Sequence, residues 1–223
     1  MNREADESDH QLRVSVDTKA TVKIGEFSRG GTCRMKVAAL DHDYQADATL
    51  APIGILVPKL DEVVIEFVLT PATSDAIMDA IDGYWRQNAA RFDGVDTLIL
   101  NLDNGPENNS RRTQFIQRVV DFVDEHQLTV RLAYYPPYHS KYNPVERVWS
   151  VLENEWNGDL LDTIPAALGH AQSMTWNGNH PAVQFVDKIY QTGKRLGAAA
   201  MRALEKRLQR LPGLEKWFVD IAP

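Results

Sequence analysis

The sequence has one cysteine, no long apolar run and a deficit of positive charge. The single cysteine, Cys33, excludes an internal disulfide and any zinc site built on paired cysteines, so we expect a protein of the reducing cytoplasm. No stretch approaches the roughly 20 apolar residues of a membrane helix, and the first residues, MNREADESDHQ, lack the apolar core of a signal peptide. These absences favour a cytoplasmic protein with no membrane partner.

The charge of the chain limits how it could bind nucleic acid. Its formal net charge is −7 and its sequence pI is near 5.4, whereas proteins that bind nucleic acid non-specifically usually show a basic patch or a high pI. A nucleic-acid role would therefore depend on local basic clusters or on a separate domain. With 223 residues, of which 43% are hydrophobic, the chain can form one substantial domain or two small ones.

Apolar periodicity predicts an α/β domain with the element order β, β, β, α, β, α, β, α. The strands are predicted at residues 12–17, 49–57, 62–69, 96–102 and 129–134, and the helices from Ser74, from Arg111 to His126 and through Trp156. Such an order predicts one mixed sheet flanked by helices. We expect residues 1–11 to be a flexible acidic tail, residues 12–160 to be the core, and residues 161–223 to be a helical extension packed on it.

Three carboxylates fall where an open α/β sheet collects its ligands, at the carboxyl ends of strands. Asp17 ends the first strand, Asp103 follows the buried strand TLILNL, and Glu146 lies in the first turn of the helix after the last core strand. If the first and fourth strands are neighbours, their backbones lie about 4.8 Å apart and the two aspartates can share one cation. Mg²⁺ favours such ligands, and two ions about 3.5–4 Å apart can hold both oxygens of a phosphoryl displacement.

Each carboxylate also has a structural interpretation. Asp17 could lie on the polar side of its strand, and Asp103 begins the turn-forming run Asp-Asn-Gly-Pro. Glu146 stands three residues after Asn143, a candidate N-cap, in a position close to a capping box. Glu153 lies on the same flank of the helix and competes with Glu146 as third ligand. We prefer Glu146 because it is nearer to the strand ends.

The segments VSVDTKA, NLDNGPENNSRRTQF and PPYHSKYNPVERVW together resemble the catalytic cores of bacterial insertion-sequence transposases of the DDE type. The resemblance is to the branch whose final motif is H-S-K-x-N-x-x-E, and the P-x-x-N-P-x-E-x-x-W ending is more distantly similar to mariner-like transposases. TWNGNHP, YQTGKRL and LPGLEKWFVDI extend the likeness over nearly the whole chain. It implies an RNase H-like fold with a mixed five-stranded sheet, flanking helices and extra C-terminal helices, and makes residues 12–160 the DDE catalytic core.

The resemblance also implies a metal-dependent polynucleotidyl transferase and endonuclease that acts in DNA transposition. Carried over by motif, Asp17, Asp103 and Glu146 would be both the catalytic residues and the metal ligands, holding two Mg²⁺ ions for which Mn²⁺ can substitute. The implied partners are transposon ends and target DNA, bound by a homodimer or a larger assembly. Such transposases usually carry an N-terminal helix-turn-helix region, and none is recognisable ahead of Leu12, so we expect an isolated catalytic domain.

Four basic residues are candidate DNA contacts. His139 and Lys141 lie in the proline-rich loop before Glu146 and could meet phosphate or simply be solvated. Arg111 and Arg112 precede a predicted helix, where positive charge opposes the helix dipole, which indicates either phosphate contact or a solvated pair. Two alternative functions remain open: a metal-dependent nuclease of the same fold, and a catalytically silent remnant that serves as a binding module.

Overall fold

In the computed structural model, which describes residues 2–27, 46–136 and 142–223, a mixed β-sheet lies between helices on both faces. The strands in these ranges are β1 Gln11–Thr18, β2 Val22–Ile24, β3 Ala48–Val57, β4 Glu62–Val68, β5 Thr97–Leu102, β6 Thr129–Tyr134, β7 Ala182–Val186, β8 Leu208–Arg210 and β9 Phe218–Ile221. Their order across the sheet is β7-β4-β3-β1-β5-β6-β9-β8, and β2 pairs with β3 outside this path. The predicted mixed α/β fold class is thereby confirmed.

The helices cover the two faces of the sheet. They are α1 Asn2–Glu7, α2 Ser74–Asn88, α3 Thr113–His126, α4 Val145–Trp156, α5 Ile164–Ser173 and α6 Ala198–Glu205, with a 3₁₀ turn at Ala89–Arg91. None of them, in the described ranges, combines the length and apolar character needed to cross a membrane. The predicted helices that begin at Ser74 and end at His126 and Trp156 are confirmed at those residues.

Among the five central strands, β4-β3-β1-β5-β6, the two neighbours β1 and β5 bring the candidate aspartates to the edge of the sheet. β1 runs parallel to β5, with Ser15 opposite Asn101, and antiparallel to β3 on its other side. The condition under which the two aspartates could share a cation, that the first and fourth predicted strands are neighbours, is therefore met. β5 is apolar on both of its faces because both are covered by protein, as is usual for a central parallel strand.

Alternate side chains of the strands fill two separate cores. On one face, Leu98 and Leu100 of β5 pack in a cluster with α2 and α3. On the other face, Ile65 and Phe67 of β4 pack with α4, where Trp156 is fully buried. Each such large apolar side chain contributes roughly 1.5–3 kcal/mol when it leaves water. The second core fixes α4 on the sheet, and α4 carries Glu146.

The N-terminal residues differ from the predicted flexible tail, because residues 2–7 form α1. Ala5 is fully buried and packs with Ile99 of β5. The Asp6 carboxylate accepts two hydrogen bonds from the guanidinium of Arg13, with a closest N–O distance of 2.5 Å. The acidic N-terminal run looks solvated in the sequence because nothing local shows that Arg13, on β1, is the partner of Asp6.

The region after residue 160 contains strands as well as the predicted helices. β7 adds to one edge of the sheet by pairing in parallel with β4, and β9 adds to the other by pairing antiparallel with β6. β7 has five residues and β9 has four, and both make their hydrogen bonds with strands far earlier in the chain. Short strands leave little periodicity in a sequence, and the helical prediction there was too broad. The division of the chain at residue 160 stays a prediction.

Candidate active site

The parallel register of β1 and β5 brings two of the predicted carboxylates to one edge of the sheet. Ser15 lies opposite Asn101, so the same register continued by two residues sets Asp17 opposite Asp103. Side chains that are two residues apart on a strand share a face. Ser15 contacts the segment that leads into α4, so both aspartates lie on the face that α4 covers.

Asp17 is a buried carboxylate in contact with α4. It is 8% exposed, and the indole Nε1–H of Trp149 donates a hydrogen bond to its Oδ2 at 2.7 Å. Burial raises the pKa of Asp17 to about 7; the Trp149 hydrogen bond opposes this, while the charges of Asp103 and Glu146 add to it. Both other carboxylates are therefore close enough to act electrostatically on Asp17, and the structure brings the three predicted residues together.

The start of α4 is fastened to β1 by a buried hydrogen-bond network. Ser15 Oγ accepts a hydrogen bond from the backbone N–H of Val145 at 3.1 Å and donates one to Asn143 Oδ1. Asn143 Nδ2 donates to the carbonyl of Val16 at 3.2 Å. The interpretation of Asn143 as an N-cap is wrong: its side chain is fully buried and binds the strand instead. Glu146, in the first turn, is thus held at a fixed distance from β1.

Asp103 is held by its own turn. Asn108 Nδ2 donates to Asp103 Oδ1 at 2.8 Å, and the backbone N–H of Gly105 donates to the same oxygen at 3.1 Å. Asn104 adopts a left-handed backbone with φ of 64°, which asparagine tolerates better than most residues. Asn108 is in turn anchored because its carbonyl accepts a hydrogen bond from the buried hydroxyl of Tyr134 at 2.8 Å. Within the described ranges, no hydrogen bond to the second oxygen of Asp103 accompanies these contacts.

Glu153, the alternative to Glu146 as third carboxylate ligand, is already paired with a lysine. Glu153 Oε1 pairs with Lys19 Nζ at 2.6 Å. In contrast, no described lysine or arginine forms an ion pair with Asp17, Asp103 or Glu146. The geometry therefore favours Glu146 over Glu153 as the carboxylate that joins the two aspartates.

The predicted DNA contacts fall into three classes. Arg111 is exposed, and its guanidinium pairs with no described carboxylate. Arg112 is 13% exposed and pairs with Glu107 at 3.0 Å, so its charge is already compensated. His139 and Lys141 lie outside the described residues. Of the four, Arg111 is the one that the described structure leaves accessible to a phosphate.

Three residues that position the carboxylates were not identified as site residues from the sequence. Trp149 was predicted to lie in the buried seam of its helix, and this is correct. The prediction gave no role to its N–H group. Ser15 gave no signal, and neither did Gly54, which stands opposite Asp17 on β3 and lies against Trp149, because their roles follow from strand register. The Trp of the P-x-E-x-x-W ending, three residues after Glu146 on a helix, was the one available signal.

The donor set fits a divalent cation. Three carboxylates supply only oxygen, the ligand that Mg²⁺ and Mn²⁺ prefer, and carboxylates close together without a cation repel one another. Asp17 is buried, and the charges of the other two already disfavour its ionised form. A bound cation would relieve this repulsion, so the residues present suit the metal that a DDE site requires.

A second carboxylate cluster is better explained as an ion-pair network. The ligand atoms of Asp82, Glu125 and His126 lie within 4.8 Å of one another, a spacing that no other such trio meets in the described ranges. The guanidinium of Arg86 pairs with both carboxylates, and His126 Nε2 contacts Asp82 Oδ1 at 2.6 Å. These contacts join α2 to α3. The trio of Asp17, Asp103 and Glu146 does not meet this spacing.

Comparison with known families agrees with the geometry. The profile described as the Rhodopirellula transposase DDE domain matches residues 1–223. The chain therefore belongs to this family of transposase domains. No curated protein matches the sequence.

Two solved structures are similar to this chain. One is the Mos1 transposase paired-end complex with left transposon end, with a TM-score of 0.50 and 12% identity, covering 74% of this chain and 48% of that one. The other is the Mos1 strand transfer complex, with a TM-score of 0.49, 12% identity, and coverage of 74% and 47%. The chain spans about half the length of the Mos1 chain. The first likeness assigns the RNase H-like fold, as the resemblance implied.

Proposed function

We propose that this chain is the catalytic domain of a DDE transposase in which Asp17, Asp103 and Glu146 form the active site. The observation that carries the proposal is the convergence of these three residues at one edge of the sheet. β1 and β5 supply the aspartates in register, and α4, fastened to β1, supplies the glutamate. The effect of both other carboxylates on the pKa of Asp17 supports their proximity.

The three carboxylates would hold divalent cations, two Mg²⁺ ions in our proposal, with Mn²⁺ as a substitute. When bound, such ions activate a water or a 3′-hydroxyl and stabilise the charge on the leaving oxygen. The residues of the chain contribute placement: Trp149 holds Asp17, and Asn108 holds Asp103. A site held this rigidly needs little reorganisation before reaction.

The proposed substrate is DNA, cleaved at the ends of a mobile element and joined to a target through the freed 3′-hydroxyl. The Mos1 transposase, in its paired-end complex with a transposon end, supports this by analogy of fold. Arg111 lies eight residues beyond Asp103, exposed and ready to meet a phosphate. Two protomers acting on two DNA ends would complete the assembly. His139 and Lys141 remain candidate contacts in the loop before Glu146.

Metal-dependent nicking of plasmid DNA tests the proposal. We expect Mn²⁺-dependent nicking by the wild type and at least a hundredfold loss for Asp17→Asn, Asp103→Asn and Glu146→Gln. Glu153→Gln is the matched control, because it removes a carboxylate from the same helix that is paired with Lys19. Equal nicking by all variants would contradict the assignment of the site.

A metal-dependent nuclease that cuts without joining is the second candidate. The acidic net charge of −7 and the pairing of Arg112 with Glu107 favour it, because joining requires two DNA segments to be held at once. A pre-cut end with a free 3′-hydroxyl, incubated with a target plasmid, separates the two functions. Joined products would support the transposase, and nicking without joined products would support the nuclease.

A further inference from the structure

Trp149 makes a directional contact with the first carboxylate. It lies on α4, three residues after Glu146, and is 7% exposed. Its Nε1–H points at Asp17 Oδ2 across 2.7 Å, so this contact joins the helix that carries one proposed ligand to the strand that carries another. An indole N–H is a donor only and cannot bind a cation. Trp149 therefore acts on a metal through Asp17, whose carboxylate its N–H group holds.

Gly54 provides the space in which the indole lies. It belongs to β3 and stands opposite Asp17 in the β1–β3 register. A Cβ at this position would lie 2.6 Å from two ring carbons of Trp149 and 3.0 Å from a methyl of Val145. The backbone of Gly54 is outside the positive-φ region, so conformation does not require glycine there. Glycine is required there because the Trp149 ring comes so close to the strand.

The contact limits how the Asp17 carboxylate can turn. Oδ2 accepts the indole hydrogen bond, and the backbone N–H of Thr18 donates a further hydrogen bond to the same carboxylate. Asp103 is held in a similar way, because its Oδ1 accepts hydrogen bonds from Asn108 and Gly105. Each aspartate thus has its orientation set by hydrogen bonds from the protein.

We propose that Trp149, seated against Gly54, is a positioning residue that orients the Asp17 carboxylate for divalent-metal binding. The inference rests on the proposed function, because it assumes that Asp17 is a metal ligand. Partners that hold a metal ligand in place typically change metal affinity by about 10–100-fold when they are removed. Trp149 and Gly54 accordingly set the affinity of the site, although neither touches the metal.

The test is the dissociation constant for Mn²⁺, measured from the free-ion signal in electron paramagnetic resonance on the folded protein. Trp149→Phe deletes the N–H and retains an aromatic ring. Trp156→Phe is the matched control: Trp156 lies on the same helix, is fully buried, and donates its Nε1–H to the Ala167 carbonyl at 3.3 Å. We expect Trp149→Phe to bind Mn²⁺ about tenfold or more weakly, and Trp156→Phe to bind as the wild type does.

A second variant covers the case in which Trp149→Phe does not fold. Gly54→Ala keeps the indole but displaces it, and should weaken Mn²⁺ binding in the same direction. Wild-type affinity in a folded Trp149→Phe or Gly54→Ala protein, or an equal loss in Trp156→Phe, would overturn the inference and leave the proposed function intact. If the wild type binds no more Mn²⁺ than Asp17→Asn does, the proposed metal centre fails and the inference fails with it.

Discussion

Replacing Gly54 by alanine adds one methyl group at the most crowded point of the site. The new Cβ would lie 2.6 Å from two carbons of the Trp149 ring. Carbon atoms in contact are about 3.5–4.0 Å apart, so the ring or the strand must move by roughly 1 Å. The hydrogen bond to Asp17, now 2.7 Å long, would then exceed the range of a normal bond.

The expected cost follows from these displacements. Overpacking of this kind costs about 1–3 kcal/mol, and loss of the hydrogen bond adds about 1 kcal/mol. Alanine recovers about 0.4–1 kcal/mol by reducing the entropy of the unfolded chain. We therefore expect the free energy of unfolding to fall by about 2 kcal/mol, which lowers the thermal midpoint of a protein of this size by about 4–8 °C.

Urea unfolding and thermal melts measure the change, and Gly169 supplies the control. Gly169 is exposed in α5, and a Cβ added there meets no atom within 4 Å. Gly169→Ala should therefore stabilise the protein by about 0.5–1 kcal/mol, because glycine is a poor helix former. Combining Gly54→Ala with Trp149→Leu should cost less than the sum of the two single changes. A neutral Gly54→Ala, or strict additivity in the double variant, would refute the reasoning.

Three further predictions concern Asn143, Glu66 and the two arginines that precede α3. Asn143→Ala leaves Ser15 Oγ and the Val16 carbonyl without their buried partner and should cost about 2–3 kcal/mol in urea unfolding; a cost below about 0.5 kcal/mol would contradict the network. Burial, with a smaller contribution from the Asp79 charge, raises the pKa of Glu66 from 4.5 to about 7. The folded protein then binds a proton that the unfolded chain has released, so this group's contribution to the unfolding free energy falls by up to about 3 kcal/mol as the pH rises from 4.5 to 7. Glu66→Gln should flatten that slope in urea titrations between pH 5 and pH 8, and an unchanged slope would count against a protonated Glu66. Arg111→Gln should weaken binding to a fluorescent DNA duplex and reduce its salt dependence, whereas Arg112→Gln should mainly lower stability; equal effects of the two on DNA binding would contradict the difference in their environments.

The sequence was sufficient to predict the central strands and to place Asp17 and Asp103 at strand ends. The apolar run TLILNL marks a strand covered on both faces, and its successor Asp103 falls at the carboxyl end, as does Asp17 on β1. Glu146 followed from the helical pattern after Pro144. These features depend on short stretches whose periodicity is local.

Features that depend on long-range contacts could not be predicted from the sequence alone. Asn143 looked like a cap because its position before Pro144 and Glu146 is typical of one, yet a buried serine on β1 competes for its side chain. Ser15 lies 128 residues earlier in the chain than Asn143, so no local pattern relates the two. α1 and β7 were missed in the sequence for the same reason. Asp6 of α1 is bound by Arg13 on β1, and β7 makes its hydrogen bonds with β4.

The most direct test of the central claim is the thermal midpoint with and without millimolar Mn²⁺ for the wild type, Asp17→Asn, Asp103→Asn and Asp82→Asn. A ligand at 100 times its dissociation constant stabilises the folded state by about 2.7 kcal/mol, which corresponds to a rise of about 5–10 °C here. Asp82→Asn is the control because Asp82 belongs to the ion-pair cluster between α2 and α3, a group in the described ranges whose spacing could also hold a cation. The account predicts that Mn²⁺ raises the midpoint of the wild type and of Asp82→Asn but not of Asp17→Asn or Asp103→Asn. A rise that persists in both strand-end variants and disappears in Asp82→Asn would place the metal between the helices and contradict the assignment of the active site.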